Sequence, residues 1–254
     1  MSVSPAKYVF GPIRSRRLGR SLGVNLLPYK TCTMNCIYCE CGATTDLTVE
    51  RKAFFPLRDV LAQIDEALEK DPAIDFLTFS GSGEPTLHPG VGAIVRHVHE
   101  KFPRIRVCLL TNSTFLGDPA LRNDLRELDL IVPSLDGSNE EEFERIDRPH
   151  PDVTFASVME ALTVFRKDCP NVPMWLEIFI VPGVNDSPAS LERFVDAVRR
   201  IGPDKVQLNS LDRAGAVDWI KVPSEEDLDR MAQALSAAAP VEIVRRVRRE
   251  GNAV

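Results

Sequence analysis

Three cysteines, Cys32, Cys36 and Cys39, stand at the spacing C-x3-C-x2-C, and Cys41 follows two residues later. The other two of the six cysteines, Cys108 and Cys169, stand alone, and Cys108 lies in an apolar run that suits a core thiol. Thiolates are soft ligands for iron and zinc, and several on one short loop can meet at a single metal centre. Structural zinc sites and most iron–sulfur clusters take four protein ligands, whereas three leave one coordination position to a small molecule. Two readings follow. Cys32, Cys36 and Cys39 hold a reactive metal centre with an open position, or Cys41 closes a non-catalytic zinc or iron–sulfur module. Zinc modules commonly pair two Cys/His knuckles, and this chain has no second one.

A loop of this kind needs a scaffold. Six apolar runs of strand length, at residues 22–27, 74–79, 105–110, 128–132, 174–181 and 205–208, alternate with segments of helical period. Pro56 opens a helix with Leu57, Val60, Leu61, Ile64 and Leu68 on one face, and Val91, Ile94, Val95 and Val98 line the next. Asp118-Pro119 and Ser187-Pro188 each join a cap to a first-turn proline. Residues 140–146 and 154–165 are predicted helices parted by Arg148-Pro149-His150-Pro151; a capped helix at 224–235 precedes an edge strand at 241–244. Strands and helices in alternation, with right-handed connections, predict an α/β fold, a partial (βα)6 TIM-like barrel. A flat doubly wound sheet shares that periodicity and stays open on pattern alone. No Pro/Gly/Ser-rich linker divides the chain, which predicts a single domain over 1–254: a barrel core at about 20–215, a basic N-terminal arm at 1–20 and a helix/strand extension at 216–254.

In such a barrel the site lies beyond the carboxyl ends of the strands. Ser80-Gly81-Ser82-Gly83-Glu84-Pro85 follows the second run, and its glycines let backbone approach a ligand closely; an ordinary turn is the plain alternative. Asn112, Ser134 and Asp136 offer an amide, a hydroxyl and a carboxylate after the third and fourth runs, where Asx turns and helix caps compete as explanations.

The segment Lys30-Thr31-Cys32-Thr33-Met34-Asn35-Cys36-Ile37-Tyr38-Cys39 resembles the cluster loop of the radical S-adenosylmethionine superfamily. The resemblance implies a 4Fe-4S cluster on Cys32, Cys36 and Cys39, whose open iron binds the amino and carboxylate groups of S-adenosyl-L-methionine. It implies reductive cleavage of that cosubstrate to a 5′-deoxyadenosyl radical that abstracts hydrogen from a substrate. By the same resemblance Tyr38 flanks the adenine, and Ser82, Gly83, Glu84 and Pro85 hold the methionyl ammonium, Ser82 standing where the family has glycine. Asn112, Ser134 and Asp136 would meet the ribose and carboxylate, while Val184, in Val181-Pro182-Gly183-Val184-Asn185-Asp186, and Leu211 would line the adenine. An external low-potential electron donor of the flavodoxin or ferredoxin type is implied as partner.

Within the superfamily, residues 11–23, residues 81–88 and Arg148-Pro149-His150 resemble a poorly characterised group related to wyosine-type tRNA-modifying synthases. RNA modification is one expectation from this, although those synthases carry extra cysteines and a lysine pattern absent here. A glycyl-radical-activating or peptide-modifying enzyme is the other. The net charge of −6 gives no overall attraction to RNA, yet residues 1–39 carry Lys7, Arg14, Arg16, Arg17, Arg20 and Lys30 without one acid. Arg245, Arg246, Arg248 and Arg249 form a second basic cluster, for which a solvated surface is the plain reading. The start lacks a secretory apolar run and no segment approaches the roughly 20 apolar residues of a membrane span, so a soluble cytoplasmic protein with no membrane partner is expected.

Overall fold

The computed structural model describes residues 7–245, so Arg246, Arg248 and Arg249 lie outside the described residues. In chain order its strands are β1 (Val9–Ser15), β2 (Gly19–Val24), β3 (Thr31–Cys32), β4 (Asp46–Leu47), β5 (Phe76–Phe79), β6 (Arg106–Thr111), β7 (Leu130–Pro133), β8 (Trp175–Phe179), β9 (Lys205–Asn209) and β10 (Val241–Ile243). The helices are α1 (Leu57–Lys70), α2 (Val91–Lys101), α3 (Pro119–Asp124), α4 (Glu140–Asp147), α5 (Phe155–Asp168), α6 (Pro188–Ile201) and α7 (Glu225–Leu235).

One sheet runs β1-β2-β5-β6-β7 and a second runs β8-β9-β10, and parallel bridges from Ile131 to Met174 and from Ser134 to Glu177 join β7 to β8. Strands β2, β5, β6, β7, β8 and β9 are therefore neighbours in the order in which they occur. A doubly wound sheet reverses its strand order at a switch point; this one never does, and so it curls as an open, partial barrel.

Period-two alternation supplies both faces of the sheet. Leu22, Val24, Leu77, Phe79, Val107, Leu109, Ile131, Leu176, Ile178, Val206 and Leu208 point outward and share one core with helix residues such as Ile64, Ile94, Phe165 and Phe194. The residues between them point inward, where Leu18, Phe76, Cys108, Leu130 and Val132 form a separate cluster. Burying these apolar side chains stabilises the fold by roughly 1.5–3 kcal/mol for each large one. Helix α6 shows the local logic: Ser187 caps it by accepting from Ser190 N at 3.1 Å, Pro188 occupies its first turn, and Gly202 ends it in the left-handed region at φ 67°.

Three strands are not anticipated by periodicity: the two-residue β3 and β4, and β1. Where the sequence predicts a basic arm over 1–20, β1 pairs antiparallel with β2, with a register shift between Phe10 and Ile13. Its turn lies at the amino ends of the barrel strands, opposite the end where the candidate site forms.

Candidate metal centre

The cysteine loop is held by four segments. The end of α4 and the segment after it run against the loop: Asn35 N donates to Asp147 O, Ile37 N to Ile146 O and His150 N to Thr33 O, each at 2.9 Å. Arg148 makes the run possible by ending α4 in the left-handed region at φ 44°, which turns Pro149 and His150 along the loop. On the opposite side Glu84 N donates to Thr31 O at 3.3 Å, and Gly83 comes so near that a Cβ there would lie 1.9 Å from Thr31 O. Below, Ile37 packs with Ile146, Phe179, Val181, Leu211 and Ile220. The chain beyond β9 folds over the same place, with Val217 N on Ile37 O at 3.2 Å and Arg213 Nε on Glu40 at 2.8 Å.

The side chains singled out in the sequence gather around this loop. Glu84 is 2% exposed, and its carboxylate accepts from Thr86 N at 3.1 Å, Thr111 Oγ1 at 2.7 Å and Asn112 N at 2.7 Å. Burial pushes its acid form up, and those donors pull the other way. Pro85 opens a short 3-10 turn that Glu84 caps. Ser82 Oγ is buried with no hydrogen-bond partner. Asn112 Nδ2 donates to Thr33 Oγ1 at 2.8 Å and approaches Cys32 Sγ at 3.6 Å. Ser134 continues β7, with its amide on Thr111 O at 2.9 Å. Asp136 accepts from Tyr38 Oη and from Phe179 N, the latter at 2.7 Å. Tyr38 also stacks on Phe179, with centroids 3.9 Å apart and planes 10° apart. Val184 and Leu211 lie in the same apolar cluster as Ile37 and Tyr38.

The electrostatics divide the thiols. Burial, with Glu84 nearby, pushes Cys32 up to about 12, and burial beside Asp147 pushes Cys36 well up. Cys39 is lowered to about 5 by the Cys41 thiol and by Lys30, whose Nζ lies 3.1 Å from Cys39 Sγ; Cys41 itself is raised by the same contact. Burial raises Asp147 to about 7, against the hydrogen bond from Cys36, and burial holds Asp136 well above the carboxylate range. Each thiol is turned to its own partner, and among the described residues no three His, Cys, Asp or Glu side chains are gathered into a finished cage.

Sequence reasoning missed several members of this site. Lys30 is 2% exposed, and its charge in a run of basic residues hides that. Asn185 is fully buried: its Oδ1 accepts from Val181 N at 2.8 Å, and its Nδ2 donates to Asp136 O at 2.7 Å and Phe179 O at 2.8 Å. It ties the end of β8 to the end of β7, although the Pro-Gly turn before it suggests only a local cap. Asp147 ends an acidic, otherwise surface-like helix, and nothing in its neighbours announces burial beside Cys36.

A family model described as the radical SAM superfamily matches residues 26–197. The chain belongs to the radical SAM superfamily. Radical SAM enzymes bind a 4Fe-4S cluster and S-adenosylmethionine, and these are the cofactors of this chain. The chain is 31% identical over 224 residues to a UPF0026 protein of Methanocaldococcus jannaschii, covering 87% of this chain and 69% of that one. It is 34% identical over 237 residues to a protein named GTPase Obg of Brachyspira hyodysenteriae, covering 93% of this chain but spanning 35% of that protein's length. The crystal structure of a radical SAM methyltransferase from Sphaerobacter thermophilus shares the fold, with a TM-score of 0.69 at 21% identity over 90% of this chain and 66% of that one. Among the described residues no helix is long and apolar enough to cross a membrane.

The residues present fit the radical SAM cofactors. Three thiols on one loop suit three irons of a cluster, the Gly83 backbone abuts that loop, and the buried Ser82 hydroxyl lacks a protein partner.

Proposed function

We propose that the chain cleaves S-adenosylmethionine reductively and uses the resulting radical to take hydrogen from a substrate. The observation that carries this reading is the loop itself, three cysteines clamped between residues 146–150 and Gly83 with apolar packing beneath. Cys32, Cys36 and Cys39 would ligate the cluster, leaving one iron for the cosubstrate. When bound, the cluster supplies the electron, received from an external low-potential donor of the flavodoxin or ferredoxin class, that breaks the sulfonium bond.

The chain's own groups bind and orient. The Ser82–Pro85 backbone and the Ser82 hydroxyl receive the methionyl ammonium, and Ser134 adds a hydroxyl on the polar side. Asn112 and Asp136 fix the loop through Thr33 and Tyr38, so their part is to hold the pocket's shape. Val184, Leu211 and Tyr38 form the apolar wall for the adenine.

A peptide substrate is favoured over RNA. Arg17 and Arg20 of the basic N-terminal segment are paired with Glu177 and Asp71 at the far end of the barrel. Loops beyond the strand ends instead expose Tyr29 (68%) and Trp219 (44%). Added salt should therefore leave substrate affinity nearly unchanged, whereas several arginine–phosphate contacts would make it fall steeply.

The test is anaerobic reconstitution followed by reduction in the presence of S-adenosylmethionine. Four irons per chain and formation of 5′-deoxyadenosine are expected. Cys32→Ala, Cys36→Ala and Cys39→Ala should each lower the product to background, and Cys41→Ala should keep the cluster. A colourless zinc protein, or loss of the cluster in Cys41→Ala, would overturn the reading in favour of a closed metal module.

A further inference from the structure

We propose that Lys30 is a positioning residue for the cluster, whose ammonium, hydrogen-bonded to Cys39 Sγ, raises the cluster's reduction potential. This rests on the reading that Cys32, Cys36 and Cys39 are the ligands.

Lysine is almost never fully buried unless paired, and Lys30 is 2% exposed. Its hydrogen bond goes to sulfur, at 3.1 Å from Nζ to Cys39 Sγ. A buried ammonium is tolerated only where an acceptor faces it, and Cys39 Sγ is that acceptor.

The backbone is arranged to aim this side chain. Lys30 has φ 55°, in the left-handed region that a residue with a Cβ rarely occupies. Its carbonyl accepts from both Thr45 N and Asp46 N at 3.1 Å, so the strained conformation is pinned from the far side of the loop. Glycine would adopt that conformation without strain, and a lysine there has a reason in its side chain.

The consequence is electrostatic. A cation next to a thiolate ligand, away from solvent, interacts more favourably with a cluster that has gained an electron than with one that has not. Hydrogen bonds to cluster sulfurs and nearby net charge are among the levers that set such potentials. Lys30 supplies both, on one side chain, and eases acceptance of the electron from the external donor.

The experiment uses the full chain, reconstituted anaerobically, as wild type, Lys30→Met, Lys30→Gln and Lys30→Arg. Iron content is measured, and the reduced cluster is followed by electron paramagnetic resonance during a redox titration. At the potential that half-reduces the wild type, the reduced-to-oxidised ratio should fall several-fold in Lys30→Met and Lys30→Gln and stay near one in Lys30→Arg. Neutral variants with full iron and the wild-type ratio would overturn the proposal. If the neutral variants lose iron, Lys30→Arg decides: retention of iron and ratio supports a role for the charge, and equal loss shows that Lys30 only fills space. A wild type without a four-iron signal fails the three-cysteine reading instead, and this proposal with it.

Discussion

The two ends of the barrel handle charge in opposite ways. Toward the floor, the Arg17 guanidinium lies on Glu177 and on Gln207 Oε1 at 3.1 Å, Arg106 covers the Phe76 ring at 4.1 Å, and Lys205 covers Trp175 at 3.9 Å. At the mouth, Glu84 and Asp136 are buried against hydroxyl and amide donors, and the buried cation Lys30 faces sulfur. Floor charges are neutralised by opposite charge or aromatic faces, which makes that end a matter of stability. Mouth carboxyl groups are held by neutral donors in fixed directions, which leaves the Lys30 ammonium to face sulfur. Of the N-terminal arginines in the sequence, Arg17 thus turns into the floor of the barrel, while Arg14, Arg16 and Arg20 are exposed.

Substitutions at each end can break or sharpen this contrast. The largest effect is expected from Asn185→Ala, which orphans Val181 N and two carbonyls. It should cost roughly 2–4 kcal/mol in denaturant melts and weaken S-adenosylmethionine binding measured by equilibrium dialysis. Arg17→Ala should cost about 2–3 kcal/mol by leaving Glu177 with Asn209 alone, but cosubstrate affinity in the same assay should hold. A matching loss of affinity in Arg17→Ala would erase the distinction between floor and mouth.

Glu142 gives a test in pH. Its carboxylate accepts from Ser138 N at 2.8 Å, Ser190 Oγ at 2.6 Å and Arg193 Nη2 at 2.9 Å. Burial works to raise its acid form, and these bonds outweigh burial and hold it below the usual range. A lowered carboxyl contributes stability above its unfolded value and loses it as pH falls through the folded one. Glu142→Gln should therefore cost about 2 kcal/mol at neutral pH, and the gap should narrow below about pH 4.3 in pH-dependent melts. The smallest effect is expected at Arg20, whose pair with Asp71 is exposed: Arg20→Ala should shift stability by less than about 1 kcal/mol.

Much of this protein was legible in its residues because the relevant forces are local. Six strand-length runs match β2, β5, β6, β7, β8 and β9 within a few residues, since period-two burial is written in neighbouring positions. Strand β1 was not, because its inward and outward alternation is interrupted at Gly11-Pro12 and its pairing partner is a later segment. The cysteine spacing singled out the candidate metal loop because all three thiols lie within one stretch of chain.

What the sequence alone determined is the cysteine spacing, the order of strands and helices, and the superfamily they imply. Only the tertiary structure decided that Lys30 turns inward to Cys39, that Asp147 lies beside Cys36, and that Asn185 ties two strand ends together. The same is true of Arg17, which reaches Glu177 across 160 positions of chain. The reason is physical: burial of a charge or an amide is tolerated only where distant segments supply its partners, and no local pattern records which segments will meet.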